Sequence, residues 1–514
     1  MAIVSTLANG DMSVDVGDNG SVLRMRLSSL DDSNCLGNNS NMHLIGVYCE
    51  GAIHWLHLGG WDFKFHNYPG KPINHLIAEH KWLKLRLEIV SFVDSELNVL
   101  FRNIQVINLS ARKRDIKIML HQAFELESNQ QFPHDTAKYI PNGVIKGVNL
   151  PTISHCNQQG DKTVLITGKS CQNAKGFDDF CIGRHGTYGN DQLTGSWVDA
   201  DDGKLSRNPV DTGRTDSMIA FAISLDGHDS CLVNYYLSTA ASISEAGRHL
   251  HRFLHEGDDL RTKKTAEYWS DWLHPAIDIV RQTAEPEQRY TIVNKLIKIK
   301  TNIATSGAVV MGSSKLCSPL YSAHVIRELY QYGLLDDVRR IFGYLANILT
   351  TQPHLHPAYR TDGTVVPTDF AYTTRDVQII YPIRLVDNTS VLIALADILL
   401  DHSDNKLSAE WKKLWRTVGI PLANFLSDYI DPLTKLPLPS YQVNTNRLKS
   451  STVDIASTYQ ALVKAAEVSE MIHDMDGAIK YRTVAEEIYD NCDDELTKLP
   501  QLDNTLNELE ESEL

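Results

Sequence analysis

The sequence predicts a multidomain α and β protein, with an antiparallel β domain followed by a helical one. Two observations carry that prediction. From residue 1 to about 255, short runs alternate apolar and polar side chains between clusters of Gly, Asn and Asp, the period of strands with one buried face. From about Gln288 onward apolar positions recur at helical spacing instead, as at Ile292, Leu296 and Ile299.

In the first half, Asn9-Gly10-Asp11, Gly17-Asp18-Asn19-Gly20 and Asp201-Asp202-Gly203 punctuate the runs. Val14-Asp15-Val16 and Val22-Leu23-Arg24-Met25 flank one such turn and read as a hairpin. Leu97 to Ile107 is a long strand, and Ile116 to Phe124 is expected to be its neighbour. Many strands over residues 1–255 with few helical stretches imply two stacked antiparallel sheets. Ile243 to Leu254 reads as a helix, and linker helices over 256–284 carry Trp269 and Trp272, expected to pack between domains. Helices are then predicted near 288–304, 322–333, 335–350, 388–403, 407–428, 452–473 and 475–491, within a domain spanning 285–500. The last stretch, 501–514, is an acidic tail without a basic residue.

Composition narrows the partners. A formal charge of −15 argues against nucleic acid and anionic membranes. No apolar run reaches the roughly 18 residues of a spanning helix, and Met1-Ala2-Ile3-Val4-Ser5 opens no secretory signal. The 8 cysteines are scattered without a C-x-x-C pair, so thiols in a reducing cytoplasm are expected. Neither cofactor nor metal is implied, and no G-x-x-x-x-G-K-[ST], G-x-S-x-G or H-E-x-x-H motif occurs.

The most informative stretch is Lys435-Leu436-Pro437-Leu438-Pro439-Ser440-Tyr441-Gln442-Val443-Asn444-Thr445-Asn446-Arg447. A Pro-x-Pro segment cannot become helix interior, so it delivers polar side chains to the start of the next helix. The stretch resembles the active-site loop of glycoside hydrolase family 15, the glucoamylases, glucodextranases and related trehalases. Short motifs elsewhere agree in the family's order, among them Asp135-Thr136-Ala137-Lys138-Tyr139 and Gly213-Arg214-Thr215-Asp216-Ser217. The resemblance covers nearly the whole chain. It implies an N-terminal antiparallel β-supersandwich plus a C-terminal (α/α) toroid. Seven predicted helices fall short of a full ring, so the toroid is expected to be incomplete.

In the family, a Glu of the loop is the general acid of an inverting hydrolysis, paired with a carboxylate base late in the barrel. Here that Glu position falls at Thr445, whose hydroxyl does not ionise near neutral pH. No segment matches the base. The Arg-Asp pair that grips the terminal sugar in the family is replaced by Leu320-Tyr321 after Ser318-Pro319. Asp454, two turns beyond Thr445, is the candidate substitute acid, or simply a first-turn acid favoured by the helix dipole.

Other parts of the site are retained. Leu355-His356-Pro357-Ala358-Tyr359 and Pro382-Ile383-Arg384-Leu385-Val386-Asp387-Asn388-Thr389 resemble sugar-binding segments of the family. His356, Asp387, Tyr441 and Arg447 are therefore the expected substrate-binding residues. The plain alternatives are a backbone-bonded loop histidine for His356, a helix N-cap for Asp387 and a carboxylate partner for Arg447. The functional expectation is a catalytically degenerate member of this carbohydrate family that binds α-glucan or a partner subunit. The alternatives are an active α-glucosidase of glucoamylase or trehalase type, with relocated or partner-supplied carboxylates, and a split or truncated product. An incomplete toroid would expose apolar faces, so a protein partner or a second copy is expected to cover it.

Overall fold

Alternation with period two commits the first half of the chain to strands, and the computed structural model shows how they stack. It describes residues 3–36, 43–127, 134–143, 149–187, 190–312, 315–366, 372–373, 379–380, 383–401, 408–441, 448–449 and 451–492. Contacts divide the chain into two units, Met1–Thr301 and Asn302–Leu514.

The first unit is built on two large antiparallel sheets. One has nine strands, ordered Val210–Thr212, Thr136–Ile140, Thr152–Cys156, Thr163–Ser170, Ser230–Ala240, Val99–Asn108, Leu85–Val93, Asn74–His80 and Asp62–Asn67. The other has six, ordered Asn190–Thr194, Asp179–Thr187, Thr215–Leu225, Arg114–Ala123, Leu44–Cys49 and Ala52–Trp55. Every second residue faces inward, so Leu100, Ile104 and Val106 of one sheet share a buried core with Ile116, Ile118 and Leu120 of the other. The predicted hairpin is present, with Val14 opposite Met25 in a small third sheet.

Two expectations are corrected here. Arg114–Ala123 does not neighbour Val99–Asn108; it pairs with Leu44–Cys49 and Thr215–Leu225 in the opposite sheet. The connection crosses between sheets instead of forming a hairpin. Asn108, fully buried, holds that crossing by donating its amide to the carbonyls of Arg112 at 2.7 Å and Asp226 at 2.9 Å. The cysteines are not all thiols either. Cys171 and Cys231 are joined in a disulfide with Cα atoms 5.8 Å apart, while six others are free. Ser170 lies opposite Val233 at the end of the ladder, and the Cys171 N–H donates to the Leu232 carbonyl at 2.8 Å, which leaves Cys231 one residue away along the partner strand. A separation of 60 residues hides that proximity in the sequence.

Three helices complete the first unit: α1 (Ile243–Glu256), α2 (Asp258–Thr283) and α3 (Pro286–Thr301). Ser242 caps α1 by accepting the Glu245 N–H. Gly257, at φ +90, turns the chain from α1 into α2. The fully buried Arg261 of α2 binds Asp94 and donates to Glu96 at 3.2 Å and Glu256 at 3.1 Å. Trp269 is buried, edge-on to Trp272, whose ring lies under the Lys300 ammonium.

The second unit contains α4 (Pro319–Gln331), α5 (Leu335–Leu349), α6 (Leu385–Asp401), α7 (Ala409–Leu414), α8 (Ile420–Asp428), α9 (Thr452–Met471) and α10 (Met475–Asn491). One π-helical turn, Trp415–Gly419, joins α7 to α8 just before Pro421, a residue with no N–H to continue an α-helical ladder. Helix α6 lies between α4 and α9, while α5, the α7–α8 pair and α10 form a second row behind them. Helix α6 buries residues on all sides, including Val391, Leu392, Ile393, Leu395 and Leu399, as an apolar central helix must.

Candidate functional site

Helices α4, α6 and α9 are bound together at their N-terminal ends. Asp387, in the first turn of α6, is fully buried. It does not cap its own helix. Its Oδ1 accepts the backbone N–H of Leu320 at 3.3 Å, at the start of α4, and the Arg384 guanidinium grips both its oxygens at 2.7 and 2.9 Å. A bidentate Arg–carboxylate pair fixes orientation as well as charge. Burial still outweighs Arg384 and raises the Asp387 carboxyl above the ordinary carboxylate range. Arg384 also donates to the Pro357 carbonyl at 3.4 Å.

The Pro-x-Pro loop makes the second tie. Ser440 donates its hydroxyl to Asp454 of α9 at 2.9 Å and accepts the Leu385 N–H of α6 at 3.4 Å. The Tyr441 N–H donates to the Ile383 carbonyl at 3.1 Å, and the half-buried Tyr441 follows directly on Ser440. Asp454, 1% exposed, donates its own N–H to the N-cap hydroxyl of Ser451 at 3.1 Å. It is a first-turn acid, and its side chain serves the loop.

A third segment closes around the start of α4. Cys317 and Tyr359 exchange backbone hydrogen bonds at 2.9 Å. The buried Tyr359 hydroxyl accepts from the Gln352 amide and the His356 N–H, both at 2.6 Å. Asn388 clips the same segment to α6, accepting the Leu355 N–H at 2.7 Å and donating to the Leu355 carbonyl at 3.1 Å. The His356 ring is edge-on to His354, 4.7 Å away, and His354 stacks on Phe425. Burial draws His354 down to about 4, leaving it neutral near pH 7.

Thus the structure gathers His356, Asp387, Tyr441 and Asp454 around the starts of α4, α6 and α9. Thr445 and Arg447 lie outside the described residues. Arg384, Ser440 and Asn388 carry much of the arrangement, and sequence reasoning assigned them no part. The i,i+3 spacing of Arg384 and Asp387 was the available signal for the first. Ser440 had none, because its partners come from two other helices. Among the described residues no group of His, Cys, Asp or Glu is placed to hold a metal, and no helix is long and apolar enough to cross a membrane.

Glycoside hydrolysis needs two carboxyl groups that reach the substrate from opposite faces. Asp387 is 0% exposed and Asp454 1% exposed, and protein donors occupy oxygens of both. In this geometry they hold helices in place.

No family model and no curated protein matches the sequence. Solved structures do match. A bacterial glucoamylase complexed with acarbose aligns with a TM-score of 0.67 at 14% identity, over 95% of this chain and 67% of that one. The fold is glucoamylase-like. A protein assigned as a kojibiose phosphorylase from the human microbiome aligns with a TM-score of 0.52 at 9% identity, over 94% of this chain and 67% of the other. β-Sheets followed by helices are the shared architecture.

Proposed function

We propose that this chain is a carbohydrate protein related to glycoside hydrolase family 15, which binds an α-linked glucan or oligosaccharide without hydrolysing it by the family's mechanism. The observation that carries the reading is the commitment of Asp387 and Asp454 to bonds within the protein, at the helix ends where the resemblance puts the sugar site. His356, Tyr441 and Arg447 are the proposed sugar contacts, with Asp387 supporting them. The helices are proposed as part of an (α/α) toroid whose open side is covered by a partner subunit or a second copy. A cytoplasmic setting goes with this reading, and there the exposed Cys171 end of the disulfide is open to cellular reductant.

The test uses purified protein with maltose, isomaltose, trehalose and soluble starch. No glucose above background is expected from the wild type, while acarbose or maltooligosaccharides bind in calorimetry. Turnover by the wild type would sink the non-catalytic half of the proposal. Absence of any sugar binding would sink the other half. One observation favours an active α-glucosidase instead: the raised proton affinity of Asp387, a property general acids need. On that second reading Asp387→Asn or Asp454→Asn abolishes turnover while the protein stays folded.

A further inference from the structure

The inner face of the nine-stranded sheet carries one row of polar residues between apolar rows. Antiparallel register sets Asn74 opposite Ser91, Ser91 opposite Arg102, and Arg102 opposite Tyr235. All four are buried, at 2, 2, 4 and 4% exposure. On one side of this row run Leu76, Ile89, Ile104 and Val233; on the other run Val93, Leu100 and Leu237. Alternation therefore aims the Arg102 side chain between the sheets.

A guanidinium taken out of water needs a compensating acid. Arg261 in the same unit shows the ordinary solution, with Asp94, Glu96 and Glu256 around it. Arg102 has none. Among the described residues its Nε and Nη2 are buried and donate to nothing, and Tyr235, not a carboxylate, is the group that acts on it. Burial draws it down to about 10, which leaves it charged at neutral pH. His43, 4% exposed, senses that charge and is held neutral by burial and by Arg102; its Nε2 has no partner. The Asn74 amide nitrogen lacks an acceptor too. Among the described residues the row thus holds one cation, idle donors and the unpaired Tyr235 hydroxyl, and no carboxylate acts on the cation.

We propose that Arg102, between the sheets, binds one small monovalent anion of the halide class, held by the guanidinium beside His43. Several considerations select that class. The site has one positive charge to balance, neutral imidazole cannot support a dianion, and the apolar rows on either side offer no partners for the further polar groups of a larger acid. A spherical halide accepts hydrogen bonds from any direction, which suits donors arriving from separate strands.

The full chain, dialysed into sodium gluconate, is titrated with sodium chloride or bromide at constant ionic strength while its unfolding temperature is followed. A saturable rise of a few degrees is expected, since a ligand bound only by the folded state stabilises it. Arg102→Lys keeps the dependence and Arg102→Met loses it. Should Arg102→Met fail to fold, crystals of the wild type grown in bromide decide the matter by an anomalous peak against Arg102. Equal unfolding temperatures in gluconate and chloride would overturn the proposal, as would an ordered water at Arg102 with no anomalous signal.

Discussion

Asp387 of α6 accepts the backbone N–H of Leu320 at the start of α4, 3.3 Å away. Ser318, the N-cap residue of α4, makes no side-chain cap bond of its own, so the neighbouring helix supplies a carboxylate to the exposed amide dipoles. One side chain therefore sets the relative position of two helices.

Removing it should be costly. Asp387→Ala leaves the Arg384 guanidinium, 13% exposed, without its carboxylate, and breaking one partner of a buried pair typically costs about 3–5 kcal/mol. Chemical denaturation should show a loss of that order. Arg384→Met combined with Asp387→Ala should cost clearly less than the sum of the single changes.

Ser440→Ala tests the second tie. It strips a donor from buried Asp454 and an acceptor from the Leu385 N–H. A loss of about 1–3 kcal/mol is expected from the unsatisfied groups. Faster amide exchange at the starts of α6 and α9, with α10 unchanged, would confirm that the damage is local.

The parts of the fold visible in the sequence are those that depend on neighbours along the chain. Periodicity located the helices from α3 to α10 within a few residues, with α7 and α8 read as one, and turn residues located the Val14–Met25 hairpin. What escaped depends on residues far apart. Nothing local says that Arg114–Ala123 pairs with Thr215–Leu225, or that Cys171 meets Cys231. At the candidate site, Asp387 was expected to bind substrate, with a cap on its own helix as the plain alternative because a cap is a local motif. Its actual partner in α4 lies 67 residues away.

The pH dependence of stability should carry the mark of Asp135, which is fully buried and lifted to about 7 by that burial. Its unfolded value is near 3.9. Between those values the folded state holds a proton that the unfolded state releases, so this group's contribution falls as pH rises from about 4 to about 7 and is level above. Asp135→Asn should remove the fall. Relative to wild type, the variant should gain on the order of 2–4 kcal/mol at pH 8 and little at pH 4, read from denaturation midpoints at both pH values.

Reduction should weaken the first unit. The Cys171–Cys231 bond closes a loop with a sequence separation of 60, for which chain entropy suggests about 4 kcal/mol. Dithiothreitol is expected to lower the unfolding temperature of the wild type and leave a Cys171→Ser, Cys231→Ser double variant unmoved. Mass spectrometry after alkylation should find six modifiable thiols in the unfolded, unreduced protein.

The three carboxylates around Arg261 bear on how this protein can be dissected. Asp94 and Glu96 belong to the sandwich, Glu256 ends α1, and the arginine that neutralises them comes from α2. A recombinant fragment that stops at the last strand, Ser230–Ala240, would carry an orphaned acid at Asp94 into its own interior. The shortest piece that keeps its charges matched must run on through α2, so the helices after the sandwich are part of what makes it a foldable module.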